Sequence, residues 1–234
     1  MTSLYFIINI TSLSIPFLYS FEKKMRFIQY WKSVFLAILI VAIPFLIWDV
    51  WFTSIGVWGF NPTYLLGPTI INLPFEEVLF FFFIPYASIF THYALLHFFP
   101  NLALSKKNTK WITIVLLLTA ILIVFFNYYK WYTLINFSVF AALLIYALVT
   151  KDTILKSFYI TFLVVLIPFF IVNGLLTGSF IEDQVVWYNN AENLGIRLGT
   201  VPIEDAFYAF SMLYGATVLI EKFKPIFNKK VNEK

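Results

Sequence analysis

The sequence predicts an all-α integral membrane protein: seven transmembrane helices, built as two parallel three-helix repeats joined by a central helix. Three observations predict it. Hydrophobic residues make up 61% of the 234-residue chain and charged residues only 12%, against about 25% charged in soluble domains. Apolar stretches of about 20 residues, the length that crosses a bilayer, recur from end to end. The two halves of the chain also repeat each other. A chain so poor in polar groups needs lipid around it, and its length makes one membrane domain, residues 1–234, with no room for a separate soluble one.

The spans are expected at 3–21, 33–51, 75–98, 111–127, 131–149, 156–176 and 203–222. The first has neither the basic start nor the small-residue cleavage site of a signal peptide, so it is counted as a span. Basic residues sort between alternate loops. Lys23, Lys24, Arg26 and Lys32 follow the first span, Lys106, Lys107 and Lys110 the third, and Lys151 and Lys156 the fifth. Lys222, Lys224, Lys229, Lys230 and Lys234 form the tail. Fourteen of the sixteen Lys and Arg thus fall on one side, leaving Lys130 and Arg197 on the other. The positive-inside rule then places the C-terminus in the cytoplasm and the N-terminus outside. This accounts for the net charge of +4 without a nucleic-acid partner. The two outer loops, 52–73 and 177–202, are long. The first has no charge but carries Trp58, Phe60 and Tyr64, which suits a folded cap at the headgroup level.

Absent residue types narrow the chemistry. Without cysteine there are no disulfides, thiolate ligands or cysteine nucleophiles. His92 and His97 lie five apart, off a common helical face, so no metal site is expected. No Gly-x-Gly-x-x-Gly follows a strand, and no nucleotide or other cofactor is expected.

The repeat is visible in two motifs. Ile43-Pro44-Phe45-Leu46-Ile47-Trp48-Asp49 recurs as Ile167-Pro168-Phe169-Phe170-Ile171-Val172-Asn173, and Pro74-Phe75-Glu76-Glu77 recurs as Pro202-Ile203-Glu204-Asp205. Trp58 and Trp187 fall in matching parts of the outer loops. Repeat one is residues 1–105 with spans one to three. Repeat two is residues 131–234 with spans five to seven. Span four, 111–127, joins them, and an odd joint gives both copies the same orientation.

Glu76, Glu77, Glu204, Asp205 and Asp49 therefore all stand at the outer ends of their helices. A proline followed by acids is a good helix start, because acids in the first turn complement the helix dipole. That reading alone does not explain why the motif occurs twice, each time running into a long apolar span where acids are costly and mark function. Neighbouring helical residues point about 100° apart, so one acid of each pair faces the centre. Glu76 shares a face with Phe80 and Phe83, and Glu204 with Tyr208. These two are assigned inward, and Glu77 and Asp205 to capping or support. Burial favours the protonated form of a carboxyl. A protonated acid among aromatic rings can protonate an alkene, and the rings can stabilise the carbocation by about 0.5–2 kcal/mol each.

Asp49, Gly56-Val57-Trp58-Gly59-Phe60-Asn61-Pro62, Leu73-Pro74-Phe75-Glu76-Glu77 with Phe80-Phe81-Phe82 and Pro85-Tyr86, and Val201-Pro202-Ile203-Glu204-Asp205-Ala206-Phe207-Tyr208 together resemble the lycopene cyclase domain. This is the small integral-membrane family that occurs as two subunits or as one fused chain. The chain resembles the fused form, with 1–105 matching one subunit and 111–234 the other, so no obligatory protein partner is implied. The resemblance implies an intramolecular lyase or isomerase without cofactor or metal, in the cytoplasmic membrane of a prokaryote. It would close the ψ-ends of lipid-dissolved lycopene into β-ionone rings, giving γ-carotene and then β-carotene. Glu76 or Glu204 is expected to act as the acid and the other as the base, with Asp49 orienting one of them or serving as base. Phe80, Phe83, Trp58, Tyr208 and Asn173 are expected to contact substrate. Asn173 stands where the first copy has Asp49, so the halves are not equivalent and one combined site is expected. A transporter or proton pathway using the same carboxylates is the alternative. No string of polar residues continues through spans three or seven to support it.

Overall fold

The computed structural model of the chain describes residues 3–227. The tail lysines Lys229, Lys230 and Lys234 lie outside the described residues. Seven α-helices carry the fold: α1 (Leu4–Tyr19), α2 (Trp31–Ser54), α3 (Phe75–Phe98), α4 (Lys106–Phe126), α5 (Trp131–Thr150), α6 (Leu155–Leu176) and α7 (Ile203–Phe227). Six of them are long and apolar enough to cross a membrane. The 16-residue α1 rises about 24 Å, short of the roughly 30 Å hydrocarbon core. Length therefore qualifies six helices as spans, where the sequence predicts seven. Helix α4 starts five residues before its expected span because Ser105 caps it, its hydroxyl accepting from the Asn108 N–H at 3.1 Å.

The long loops 52–73 and 177–202 are folded, and partly as sheet. Six short strands form three antiparallel pairs. Strand β1 (Trp58–Phe60) pairs with β4 (Val186–Tyr188), β2 (Thr69–Ile70) with β3 (Leu73–Pro74), and β5 (Arg197–Leu198) with β6 (Val201–Pro202). The two hairpins are copies of one another, and each runs straight into a helix. Pro74 ends β3 and precedes α3; Pro202 ends β6 and precedes α7. Each proline is thus the residue before the helix rather than its first residue. The first helical N–H is taken by the loop instead: Phe75 donates to the Pro68 carbonyl at 2.9 Å, and Ile203 to that of Ile196 at 3.0 Å.

The helices and strands gather into two compact units. Among the described residues, one comprises 3–51, Pro62–Asn101 and 212–227; the other comprises Phe52–Asn61 and Leu102–Ser211. In the first, α1 packs along α3. The Tyr86 hydroxyl meets the Ser20 hydroxyl at 2.5 Å and accepts from the Trp31 indole N–H at 2.9 Å. The second half of α7 belongs to this unit because Tyr93 of α3 donates to Glu221 at 2.6 Å, and the Lys224 ammonium, paired with Glu221, sits 3.8 Å over the Tyr93 ring. In the second unit, α4 packs on α5, and Thr113 of α4 shares a 2.8 Å hydrogen bond with Tyr159 of α6.

The two basic residues that break the charge pattern hold the 177–202 loop in shape. Lys130 donates to the Asn193 carbonyl at 2.9 Å, and Arg197 donates to the Thr200 carbonyl at 2.5 Å and to Asn190 Oδ1 at 2.8 Å. The β1–β4 pair sets Gly59 opposite Trp187. A methyl group at residue 59 would overlap the indole of Trp187, so glycine is required there. Gly59→Ala is expected to destabilise the protein by about 1–3 kcal/mol, read as a lower melting temperature in detergent. Gly59→Ala combined with Trp187→Ala is expected to recover part of the loss.

Candidate active site

Each copy of the Pro-x-acid-acid motif opens a helix, and the same set of bonds is built around each. In the first unit, Glu76 and Glu77 occupy the second and third positions of α3 and are 0% and 9% exposed. The Glu76 side chain folds back so that Oε1 accepts the Leu66 N–H at 2.5 Å. Asn9 of α1 donates its Nδ2 to the Glu76 carbonyl at 2.8 Å. Tyr5, one turn earlier on α1, donates its hydroxyl to Glu77 Oε2 at 2.5 Å.

The second unit repeats this. Glu204 and Asp205 of α7 are 0% and 5% exposed. Glu204 Oε1 accepts the Leu194 N–H at 2.7 Å, Asn136 of α5 donates to the Glu204 carbonyl at 2.6 Å, and the Tyr132 hydroxyl donates to Asp205 Oδ1 at 2.5 Å. Two further bonds reach the second pair. Thr133 donates to Glu204 Oε1 at 2.8 Å, and Tyr188 of β4 donates to Asp205 Oδ2 at 3.0 Å.

In both copies the remaining glutamate oxygen, Oε2 of Glu76 and of Glu204, is buried without a hydrogen-bond partner, as is Oδ1 of Asn9 and of Asn136. Each glutamate is therefore gripped by one oxygen and presents the other uncommitted. Leaving a buried acceptor unsatisfied costs about 1–3 kcal/mol, so a feature present twice at matching positions calls for a role beyond helix capping.

Aromatic rings crowd the second pair. Trp58 of β1 lies 5.1 Å from Tyr132, 6.0 Å from Tyr188 and 6.5 Å from Tyr208, measured between centroids, and Tyr132 stacks on Tyr188 at 5.9 Å. Phe52 backs Trp58 at 4.9 Å. The two tyrosines bonded to Asp205 are thus also walls of an aromatic cage, and the β1–β4 pairing puts Trp58 and Tyr188 into it side by side. Beside the first pair, Phe80 packs against Tyr5 at 6.1 Å.

Of the other residues singled out by sequence, Asp49 is buried on α2 at 1% exposure, and Phe83 is half-buried. Asn173 is buried on α6 with its amide donating to the Phe169 carbonyl one turn back, at 3.1 Å. The residues that sequence reasoning missed are Tyr5, Asn9, Tyr132, Thr133, Asn136, Tyr188 and the loop amides of Leu66 and Leu194. A signal for four of them was present. Tyr5-Phe6-Ile7-Ile8-Asn9 recurs as Tyr132-Thr133-Leu134-Ile135-Asn136, at an offset of 127 against 128 for the acid motifs. Among the described residues no three His, Asp or Glu side chains come together as metal ligands would.

Comparison with known proteins returns one family. The family model described as lycopene cyclase matches residues 2–95 and 129–223, two segments that each contain one tyrosine–asparagine pair and one acid pair. Neither the curated proteins nor the solved structures yield a match. With most of its length covered by the family model, in two successive copies, the chain belongs to the lycopene cyclase family.

Proposed function

We propose that the chain is a lycopene β-cyclase, closing the ψ-ends of lycopene without net redox change to give γ-carotene and then β-carotene. The observation that carries this reading is the Glu204–Asp205 pair: buried, with one glutamate oxygen uncommitted, and walled by Trp58, Tyr132, Tyr188 and Tyr208. An O–H aimed at an alkene must not already be spent on another acceptor, and Glu204 Oε2 meets that condition. Glu204 transfers its proton to C2 of the terminal C1=C2 alkene, leaving a cation at C1. The C5=C6 electron pair closes the C1–C6 bond and moves the cation to C5. A carboxylate, assigned here to Asp205, removes the C6 proton, and the freed pair forms the ring double bond. One proton is given and one taken, so the product is an isomer of the substrate.

The rings have two tasks. They stabilise the cation through their faces, by about 0.5–2 kcal/mol per ring, and they exclude the water that would trap it as an alcohol. Glu76 and Glu77, with Tyr5 and Phe80, form the corresponding acid pair of the first copy, and Asp49, Phe83 and Asn173 remain proposed contributors. The substrate comes in sideways from lipid. An apolar cleft of about 430 Å³ in the second unit, lined by Phe140, Phe162, Ile203, Ala206, Phe207 and Phe210 among others, supplies an oily surface along α7. The cleft follows the Ile203–Ala206–Phe207–Phe210 stripe, next to the face that carries Glu204. The transport reading gains no support from the family or from the carboxylate sites.

Orientation is proposed from the charge pattern, with the acid pairs at the outer face and seven spans in all. A reporter enzyme fused after residue 151 is expected to read cytoplasmic, and one fused within 180–195 to read external.

The activity is tested in a bacterium that accumulates lycopene, by chromatography of extracted pigment. The wild-type chain is expected to yield γ- and β-carotene. Glu204→Gln is expected to lower the yield by about 100-fold or more, the usual scale of a lost general acid, and Glu76→Gln, which lies outside the two assigned proton transfers, by less. Unchanged lycopene with well-inserted wild-type protein would refute the reading. Tyr132→Phe keeps the ring and removes one donor to Asp205. A hydrogen bond to a charged group contributes about 1.5–3 kcal/mol, so a loss of roughly 10- to 100-fold in cyclisation is expected with the protein still folded.

A further inference from the structure

The opposite end of the second unit holds a cavity that the cyclase reading leaves unused. It measures about 420 Å³ and lies where α4 begins, α5 ends and α6 begins. Four lysines line it: Lys106 and Lys110 from α4, Lys151 from the turn after α5, and Lys156 from α6. The one acid at the cavity is Asp152, whose Oδ1 accepts the Ile154 N–H at 2.9 Å. Among the described residues none of these four ammonium groups is in an ion pair. Charge segregation explains why lysines sit at this end of the helices. It does not explain why three separate helices bring four of them round one cavity.

The cavity is built, not an accident of loose side chains. The Leu104 N–H donates to the Lys156 carbonyl at 2.8 Å, tying the approach to α4 to the start of α6. Lys151 ends α5 with φ of 54°, and the next N–H, from Asp152, returns to the Ala147 carbonyl at 2.9 Å. The floor includes the buried Thr109 and Thr113, the latter bonded to Tyr159 of α6. Helices α4 and α6 both start here, so two positive dipole ends add to the lysines. The site also lies at the end of membrane-length helices, with Trp111, 60% exposed, directly after Lys110. An exposed tryptophan in that position suits the headgroup level.

We propose that this cavity binds a phosphate group, carried by an anionic phospholipid headgroup or as the free anion. Basic pockets between transmembrane helices suit such headgroups, and each lysine near an anionic surface contributes about fivefold in affinity.

The full chain, purified in mild detergent, separates the sources. It is titrated with phosphatidylglycerol, with phosphatidylcholine and with inorganic phosphate, following bound lipid by native mass spectrometry and the melting temperature. The expected result is saturable retention of phosphatidylglycerol and a rise in melting temperature of several degrees, with no rise from phosphatidylcholine. An equal rise with inorganic phosphate assigns the free anion instead. Lys106→Gln/Lys110→Gln/Lys151→Gln/Lys156→Gln is expected to abolish the effect. Lys23→Gln/Lys24→Gln/Arg26→Gln/Lys32→Gln, with the same loss of charge elsewhere, is expected to keep it. If the fourfold cavity variant does not fold, Lys110→Gln and Lys156→Gln alone are each expected to weaken retention about fivefold. Equal losses in cavity and control variants, or no binding of either phosphate probe to the wild type, overturn the proposal. Binding is read without lycopene, so its failure is separate from failure of the cyclase reading.

Discussion

The structure depends on a glutamate at the second position of a helix that turns its carboxyl back onto the loop it has just left. Glu76 reaches the N–H of Leu66 and Glu204 that of Leu194. A loop in apolar surroundings has to satisfy its own backbone groups, and here an acidic side chain does so. The same bond spends one carboxyl oxygen and leaves the other buried and uncommitted. In the proposed mechanism, structure and chemistry thus make opposite demands on a single side chain, and its two oxygens divide them. The preceding hairpin, the proline before the helix and the N–H bonds from Phe75 and Ile203 to the loop all serve to bring the chain round at the angle this requires.

The neighbouring acid is held differently. Glu77 and Asp205 are met by tyrosines from another helix, Tyr5 and Tyr132, whose rings also belong to the packing. A phenol suits this place because its body is apolar and its tip is a donor. The asparagine one turn further along, Asn9 or Asn136, pins the helix carrying that tyrosine to the backbone of the acid pair. Each acid pair is therefore fixed by three elements: its own helix, the loop before it and a tyrosine–asparagine helix. The copies then diverge. The second has Thr133 on Glu204, Tyr188 on Asp205 and the Trp58–Tyr208 contact. Phe6 stands at the position equivalent to Thr133 and offers no hydroxyl. That asymmetry is why the second pair carries the mechanistic proposal.

Much of this was legible in the chain. The acid motifs, their duplication and their position ahead of long apolar helices are local patterns, and the six long helices follow the hydropathy. The strands were not legible, because segments of two or three residues have no period to read. Tyr5 and Asn9 are not legible alone, because two polar residues in an apolar stretch look incidental until the second copy is aligned with them. The apolar run also outlasts α1, so length alone does not qualify that helix as a span.

Sequence by itself determined that this is a membrane chain with a duplicated acid pair and an abundance of aromatic rings, since these are matters of composition and short-range order. Tertiary structure decided which oxygen of each glutamate is engaged, which tyrosines meet the second acid, and that Trp58 packs against the two tyrosines bonded to Asp205. The hydrogen-bond partners lie between 10 and 73 residues from the acids they serve. No local pattern encodes such a pairing; it exists only once the loops are closed by hydrogen bonds that burial makes obligatory.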